Sequence, residues 1–224
     1  MAGPTLRGLT VTHSGETPRP WAWRKDRVFD MWLPVFGDGA GRPRKPESFT
    51  GDTGSVSLWR DGVAVPAEPS GEPTMATIPV PDADGAYRLT AEARRHADWW
   101  PLSTDVWVEW TFRSSSASDG NALPLLTARF DPVVDLRNSG PGGRLFTFPA
   151  YVERQGGGAG TKLTVETSAD DGRTWQPAAV TRMGGHWTLC VRNPAKGFVS
   201  LRATASDDGG NTVWQTVLRA YAVN

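Results

Sequence analysis

Three short stretches place reactive or ligating side chains at close spacing. In Ser168-Ala-Asp-Asp-Gly-Arg-Thr-Trp175, every fixed position of the Asp-box pattern Ser-x-Asp-x-Gly-x-Thr-Trp is filled. The carboxylate of Asp170 can accept backbone N–H groups and brace a turn. Gly172 can take a positive φ without steric cost. Trp175 can fold back over the hairpin base. None of these roles is catalytic, and the residues read as a structural turn. Asp52-Thr-Gly-Ser55 matches the core of an aspartic-peptidase signature. That chemistry needs two carboxylates sharing one proton, and a single copy would require a homodimer, so a turn is expected here too. Asp207-Asp-Gly-Gly-Asn211 offers oxygens of the kind that bind calcium, although a hairpin turn without metal is the favoured reading.

Asp boxes are familiar from sialidases and other secreted glycosidases, where they recur once per propeller blade. Here there is one copy, in a chain too short for such a propeller. A Ser-His-Asp site needs a histidine, and the chain has His13, His96 and His186 without a Gly-x-Ser-x-Gly elbow. No His, Asp and Glu spacing resembles a zinc site. Gly156-Gly-Gly-Ala-Gly-Thr-Lys162 lacks the ending of a phosphate loop and reads as a hairpin tip. No catalytic residue, metal or cofactor is therefore expected. The tryptophans are harder to set aside. Pro20-Trp-Ala-Trp23 and Asp98-Trp-Trp-Pro-Leu102 put Trp21, Trp23, Trp99 and Trp100 in loop-like contexts. Exposed rings there would stack on sugars or grip a peptide. Packing against the ends of a sandwich is the favoured reading.

The composition narrows the partners. Lys and Arg number 24, as do Asp and Glu, so the net charge is zero. A nucleic-acid binder would show a basic excess, and no polybasic membrane patch is present. The local cluster Gly41–Glu47 reads as a solvated loop. No segment approaches the roughly 20 apolar residues of a membrane span. Cys190 has no partner for a disulfide or a thiolate zinc site and reads as a buried small apolar residue. The opening residues lack the apolar run of a signal peptide, so a cytosolic protein or a piece of a longer one is expected.

Strands must position these residues. The 25 Gly and 18 Pro without a fixed period point to many turns. In 106–112, Val106, Val108, Trp110 and Phe112 share one face, and Trp107, Glu109 and Thr111 share the other. Residues 55–58, 162–168 and 198–206 alternate in the same way. Residues 88–100 read as a strand running into a loop. Asp-Gly and Gly-Asn steps at 61–62, 84–85, 171–172 and 210–211 supply hairpin turns. The fold expected is all-β, with two antiparallel sandwich domains. After a loosely ordered segment, 1–20, the first spans 21–115. The second spans 122–224, gives seven or eight strands, and is immunoglobulin-like or fibronectin type III-like. Ser114–Pro124, small and polar, reads as a flexible boundary. No precise internal repeat is visible in the residues.

The phrases 86–115, 123–138, 163–180 and 197–221, in that order, resemble the C-terminal accessory region of large secreted subtilisin-like serine peptidases of actinomycetes. The resemblance covers roughly residues 28 to 221 and is strongest after 86. It rests on strand-and-turn phrases. The family's catalytic Asp, His and Ser segments have no counterpart here. The resemblance implies a non-catalytic module, secreted as part of a longer precursor. The peptidase domain of the parent chain would be its partner. It would serve stabilisation, substrate positioning or surface attachment. The competing expectation is a carbohydrate-binding module using exposed tryptophans, with a protein or polysaccharide substrate as the further partner.

Overall fold

The computed structural model describes residues 21–37, 43–67, 70–95, 97 and 99–224. The segment 1–20, His13 and His96 lie outside these residues. The first half forms β1 (Ala22–Lys25), β2 (Val28–Trp32), β3 (Phe36–Gly37), β4 (Pro43–Arg44) and β5 (Thr53–Arg60), then β6 (Val63–Val65), β7 (Met75–Pro79), β8 (Gly85–Arg94) and β9 (Asp105–Ser114). The second half forms β10 (Leu126–Phe130), β11 (Ser139–Gly140), β12 (Leu145–Arg154), β13 (Lys162–Ser168) and β14 (Gln176–Pro177), then β15 (Ala179–Met183), β16 (His186–Arg192), β17 (Gly197–Ser206) and β18 (Thr212–Val223). The protein is all-β, and the alternation in residues 88–94 does form a strand, β8, that runs into a loop.

Each half is a sandwich of two sheets, and in the first half β3 pairs with β4 as a separate two-stranded sheet. In the first, β1-β2-β7 faces β6-β5-β8-β9, and in the second β10-β12-β16-β15 faces β14-β13-β17-β18. With strands lettered in chain order, the second half reads A-B-E-D against C′-C-F-G, the connectivity of an immunoglobulin-like sandwich. The first half reads A-B-E against C′-C-F-G. The same connectivity therefore occurs twice. The repeat lies in topology, and this is why no repeat is visible in the residues.

The halves meet along their last strands. β9 pairs antiparallel with β18, from Thr212 opposite Thr111 to Val217 opposite Val106. This joins two half-sheets into one nine-stranded sheet, with β11 added in parallel to the far end of β18. Paired residues point to the same face of a sheet. Val106, Val108 and Trp110 are buried opposite Val217, Gln215 and Val213, so both facing sheets cover one side of the wide sheet. A single core runs through both halves, from Phe29 and Tyr87 to Phe148 and Tyr221.

Polar side chains fasten this junction. Trp110 donates its indole N–H to the Leu126 carbonyl at 2.6 Å, and the Gln215 amide donates to that of Ala128 at 3.0 Å. The buried Gln155 amide accepts the N–H groups of Trp21 and Ala22 and donates to the carbonyls of Ala22 and Leu123. The boundary stretch is bonded rather than free. Ser116 N–H reaches the Asp82 carbonyl, while Gly120 and Leu123 donate to the carbonyls of Arg24 and Ala22. Its composition suggested flexibility because small polar residues lack core contacts, but here the backbone itself carries the bonding. Cys190 is half-buried on the outer face of β16 rather than buried, because Leu189 and Val191 take the core positions beside it.

Candidate binding face

Among the described residues, no sheet packs on the side of the wide sheet opposite the core. Its side chains come from alternate positions of β5, β8, β9, β18, β17 and β13. Trp107 and Trp214 sit diagonally across the β9–β18 seam, with ring centroids 4.3 Å apart and nearly perpendicular. Arg202 on β17 lies 4.5 Å from the Trp175 ring and 6.0 Å from that of Trp214. On the other half, the Arg88 guanidinium lies 3.6 Å over Trp59. Guanidinium and indole planes attract through the ring quadrupole. The charges are matched locally. Arg202 pairs with Glu166 at 2.8 Å, and Arg88 pairs with Glu109 at 3.2 Å. Thr111 and Thr212 share a hydroxyl hydrogen bond across the seam at 2.6 Å.

A shallow groove of about 340 Å³ opens on this face. Its floor and walls include Trp107, Trp175, Arg202, Thr216, Glu92 and Asp105. The Asp box forms one bank. Its internal bonds are complete. The Ser168 hydroxyl donates to Asp170 at 2.7 Å and accepts the Gly172 N–H at 2.9 Å. Asp170 also accepts the Thr174 hydroxyl at 2.6 Å and its N–H at 2.9 Å. These bonds, led by the Thr174 hydroxyl and then the Ser168 hydroxyl, hold the Asp170 carboxyl down at about 2. Asp171 and Gly172 both have positive φ, at 56° and 83°. Arg219 grips Asp171 with two bonds of 2.9 and 2.8 Å and lowers its pKa. The turn carries Trp175 to the edge of the groove.

The four tryptophans singled out from sequence are dispersed. Trp21 lies in the core, edge-on to Trp32 at 5.6 Å. Trp23 is half-buried on β1, where it bridges Ala122. Trp99 is 82% exposed, and its ring meets that of half-buried Trp100 at 6.1 Å. This pair lines a second groove, about 230 Å³, with Arg44, Arg95 and Asp52. Burial lowers the Arg95 pKa, against the attraction of Asp52. Trp59, Trp107 and Trp214 carried a weaker signal in the sequence. The alternation of 106–112 already set Trp107 apart from the apolar face, but only the seam brings Trp214 beside it.

The other candidates resolve into packing and turns. The Asp207 carboxylate accepts the Asn211 N–H and amide at 2.9 Å each and the Arg154 guanidinium at 3.1 Å. Burial opposes its ionisation, yet these donors outweigh it and hold its pKa low. Its oxygens are occupied by donors, as in a braced hairpin. The His186 ring lies tilted against that of Tyr151, with centroids 5.7 Å apart. Asp52 accepts only a long bond, 3.4 Å, from the Glu47 N–H among those resolved. Among the described residues, no three His, Cys, Asp or Glu side chains are grouped to hold a metal ion. No helix among them is long and apolar enough to cross a membrane. The fold and face define an antiparallel β-sandwich protein with an open aromatic sheet face. Comparison with protein-family models gives no match, and comparison with curated proteins gives none.

Proposed function

We propose that this chain is a non-catalytic accessory module of a secreted subtilisin-like serine peptidase. It serves to position substrate or to attach the enzyme to a surface. The observation that carries this reading is the open face of the wide sheet, with tryptophans and matched charges on both sides of the seam. A sheet face that no described sheet covers, and that presents large rings, is suited to holding a partner. The sequence resemblance supports the same reading. Its phrases 86–115 and 197–221 contain the paired residues of the seam, 106–111 and 212–217, and 163–180 contains the Asp box. The peptidase domain of the parent chain is the proposed partner, and export as part of a longer precursor is the proposed localisation.

The test has two arms. DNA upstream of the coding segment is expected to encode a subtilisin-like domain in the same reading frame, and its absence overturns the accessory role. The isolated chain is expected to leave casein intact. Cleavage that a serine-directed inhibitor abolishes overturns the non-catalytic role. A second reading, a carbohydrate-binding module using exposed tryptophans, is favoured by the exposure of Trp99 beside Trp100. It requires retention on a polysaccharide that Trp99→Ala or Trp100→Ala abolishes.

A further inference from the structure

We propose that the groove between the Asp box and the seam is a binding site for a neutral polysaccharide chain. The inference rests on the reading of the open face as a binding surface, and it assigns that face a ligand class. The aromatic lining is Trp107 and Trp175, and an indole face can take the C–H face of a pyranose ring. Beside them stand groups that bond hydroxyls in pairs, the carboxylates of Glu92 and Asp105 and the guanidinium of Arg202. Glu92 receives one hydrogen bond from the Ser55 hydroxyl at 3.1 Å, which orients it.

The charge arrangement argues against an anionic ligand, since among the described residues Glu92 is the one groove charge outside the ion pairs resolved. Arg94 pairs with Asp105 at 3.0 Å, Arg202 with Glu166 at 2.8 Å, and Arg219 with Asp171 at 2.8 Å. Ion pairs of this kind leave dipolar groups for hydroxyls rather than a net charge for a phosphate or a carboxylate. The backbone arrangement argues against an extended peptide. The groove lies over β8, β9, β18 and β17, whose main-chain groups are spent in ladders on both sides. Peptides that add a strand need an unpaired edge, and this floor has none. Its volume of about 340 Å³ lies within the usual range of small-ligand sites, roughly 300–1,000 Å³. The same sheet face continues past the groove to Trp214 and to Trp59 under Arg88, so a chain can run on beyond it.

The experiment is affinity electrophoresis of the purified chain in native gels containing hydroxyethylcellulose, laminarin or glucomannan, with an insoluble-casein pull-down alongside. Slowed migration in at least one polysaccharide is expected. Trp107→Ala and Trp175→Ala are expected to weaken it tenfold or more. Glu92→Ala is expected to weaken it at least threefold with an unchanged melting temperature, and this variant stands in if either tryptophan variant fails to fold. Trp99→Ala is expected to migrate as wild type. No slowing in any polysaccharide overturns the proposal, as does slowing that survives Trp107→Ala and Glu92→Ala. Slowing lost only in Trp99→Ala moves the site to the other groove and overturns it. Capture by casein with no polysaccharide slowing also overturns it and leaves the accessory-module reading standing.

Discussion

The turn between β5 and β6 in the first half is built around Asp61-Gly62, and the corresponding segment between β13 and β14 in the second is the Asp box. Both contain an Asp-Gly pair at positive φ, 49° and 84° in the first and 56° and 83° in the second. In the first, Asp61 accepts the Ala86 N–H at 3.0 Å and the turn ends there. In the second, the turn is extended, braced by Asp170 and capped by Trp175. The segments between the last two strands differ in the opposite sense. Residues 95–104 form a long connection bearing Trp99 and Trp100, while 207–211 is a tight hairpin held by Asp207. The two sandwiches therefore repeat a scaffold, and each half has elaborated a different connection. The connections that carry tryptophans lie beside the two grooves, 95–104 in one half and the Asp box in the other.

The largest expected effect comes from breaking the junction that makes the two halves one unit. Trp110 is almost fully buried in β9, and its indole bonds β10 in the other half. Trp110→Ala is expected to cost about 3–5 kcal/mol in urea unfolding. Wild type is expected to unfold in one transition, with circular dichroism and tryptophan fluorescence coincident. The variant should separate them. Wild type already unfolding in two steps would show that the halves are independent sandwiches.

The strands were legible and their pairing was not. Alternation in 106–112 and 198–206 fixes which side chains face inward, because the period of two acts locally. Nothing local tells β9 to pair with β18. Both strands alternate, and either would serve as a sheet edge by pattern alone. The binding face was hidden for the same reason. Trp107 and Trp214 lie in different halves, and only the seam register makes them neighbours. Trp21 shows the converse. Its loop-like context left both exposure and packing open, with packing favoured, and it is the Gln155 amide far along the chain that holds its backbone while the ring turns into the core. The turn of the Asp box was legible because the bonds of Ser168 and Asp170 lie within eight residues of sequence, whereas the Asp171–Arg219 pair spans 48 positions and was not.

A smaller effect separates the two turns. Gly62 and Gly172 have nearly the same φ, so an added Cβ is strained at both, by about 1–2 kcal/mol. At Gly62 the Cβ would meet nothing within 4 Å. At Gly172 it would come within 3.0 Å of the Leu218 side chain and 3.3 Å of the Trp175 ring. Gly172→Ala is therefore expected to destabilise more than Gly62→Ala, by about a further 1 kcal/mol of overpacking. Equal losses in thermal melts would remove the distinction between the two turns.

The smallest effect is a pH dependence peculiar to the Asp box. Asp170 titrates at about 2 in the folded protein, below its ordinary value of 3.8. The folded state thus binds this proton less readily than the unfolded chain. The stabilisation is complete above about pH 4 and fades as the pH falls toward 2. Asp171, Asp207 and Asp135 are lowered in the same direction, so wild type should lose stability through this window from several sites. Asp170→Asn keeps the size of the side chain but loses one oxygen acceptor and the titration. Its melting temperature is expected to lie below wild type at pH 7, and the gap should close as the pH approaches 2. A gap that stays constant from pH 7 to pH 2 would show that the brace works through shape rather than through the ionised carboxylate.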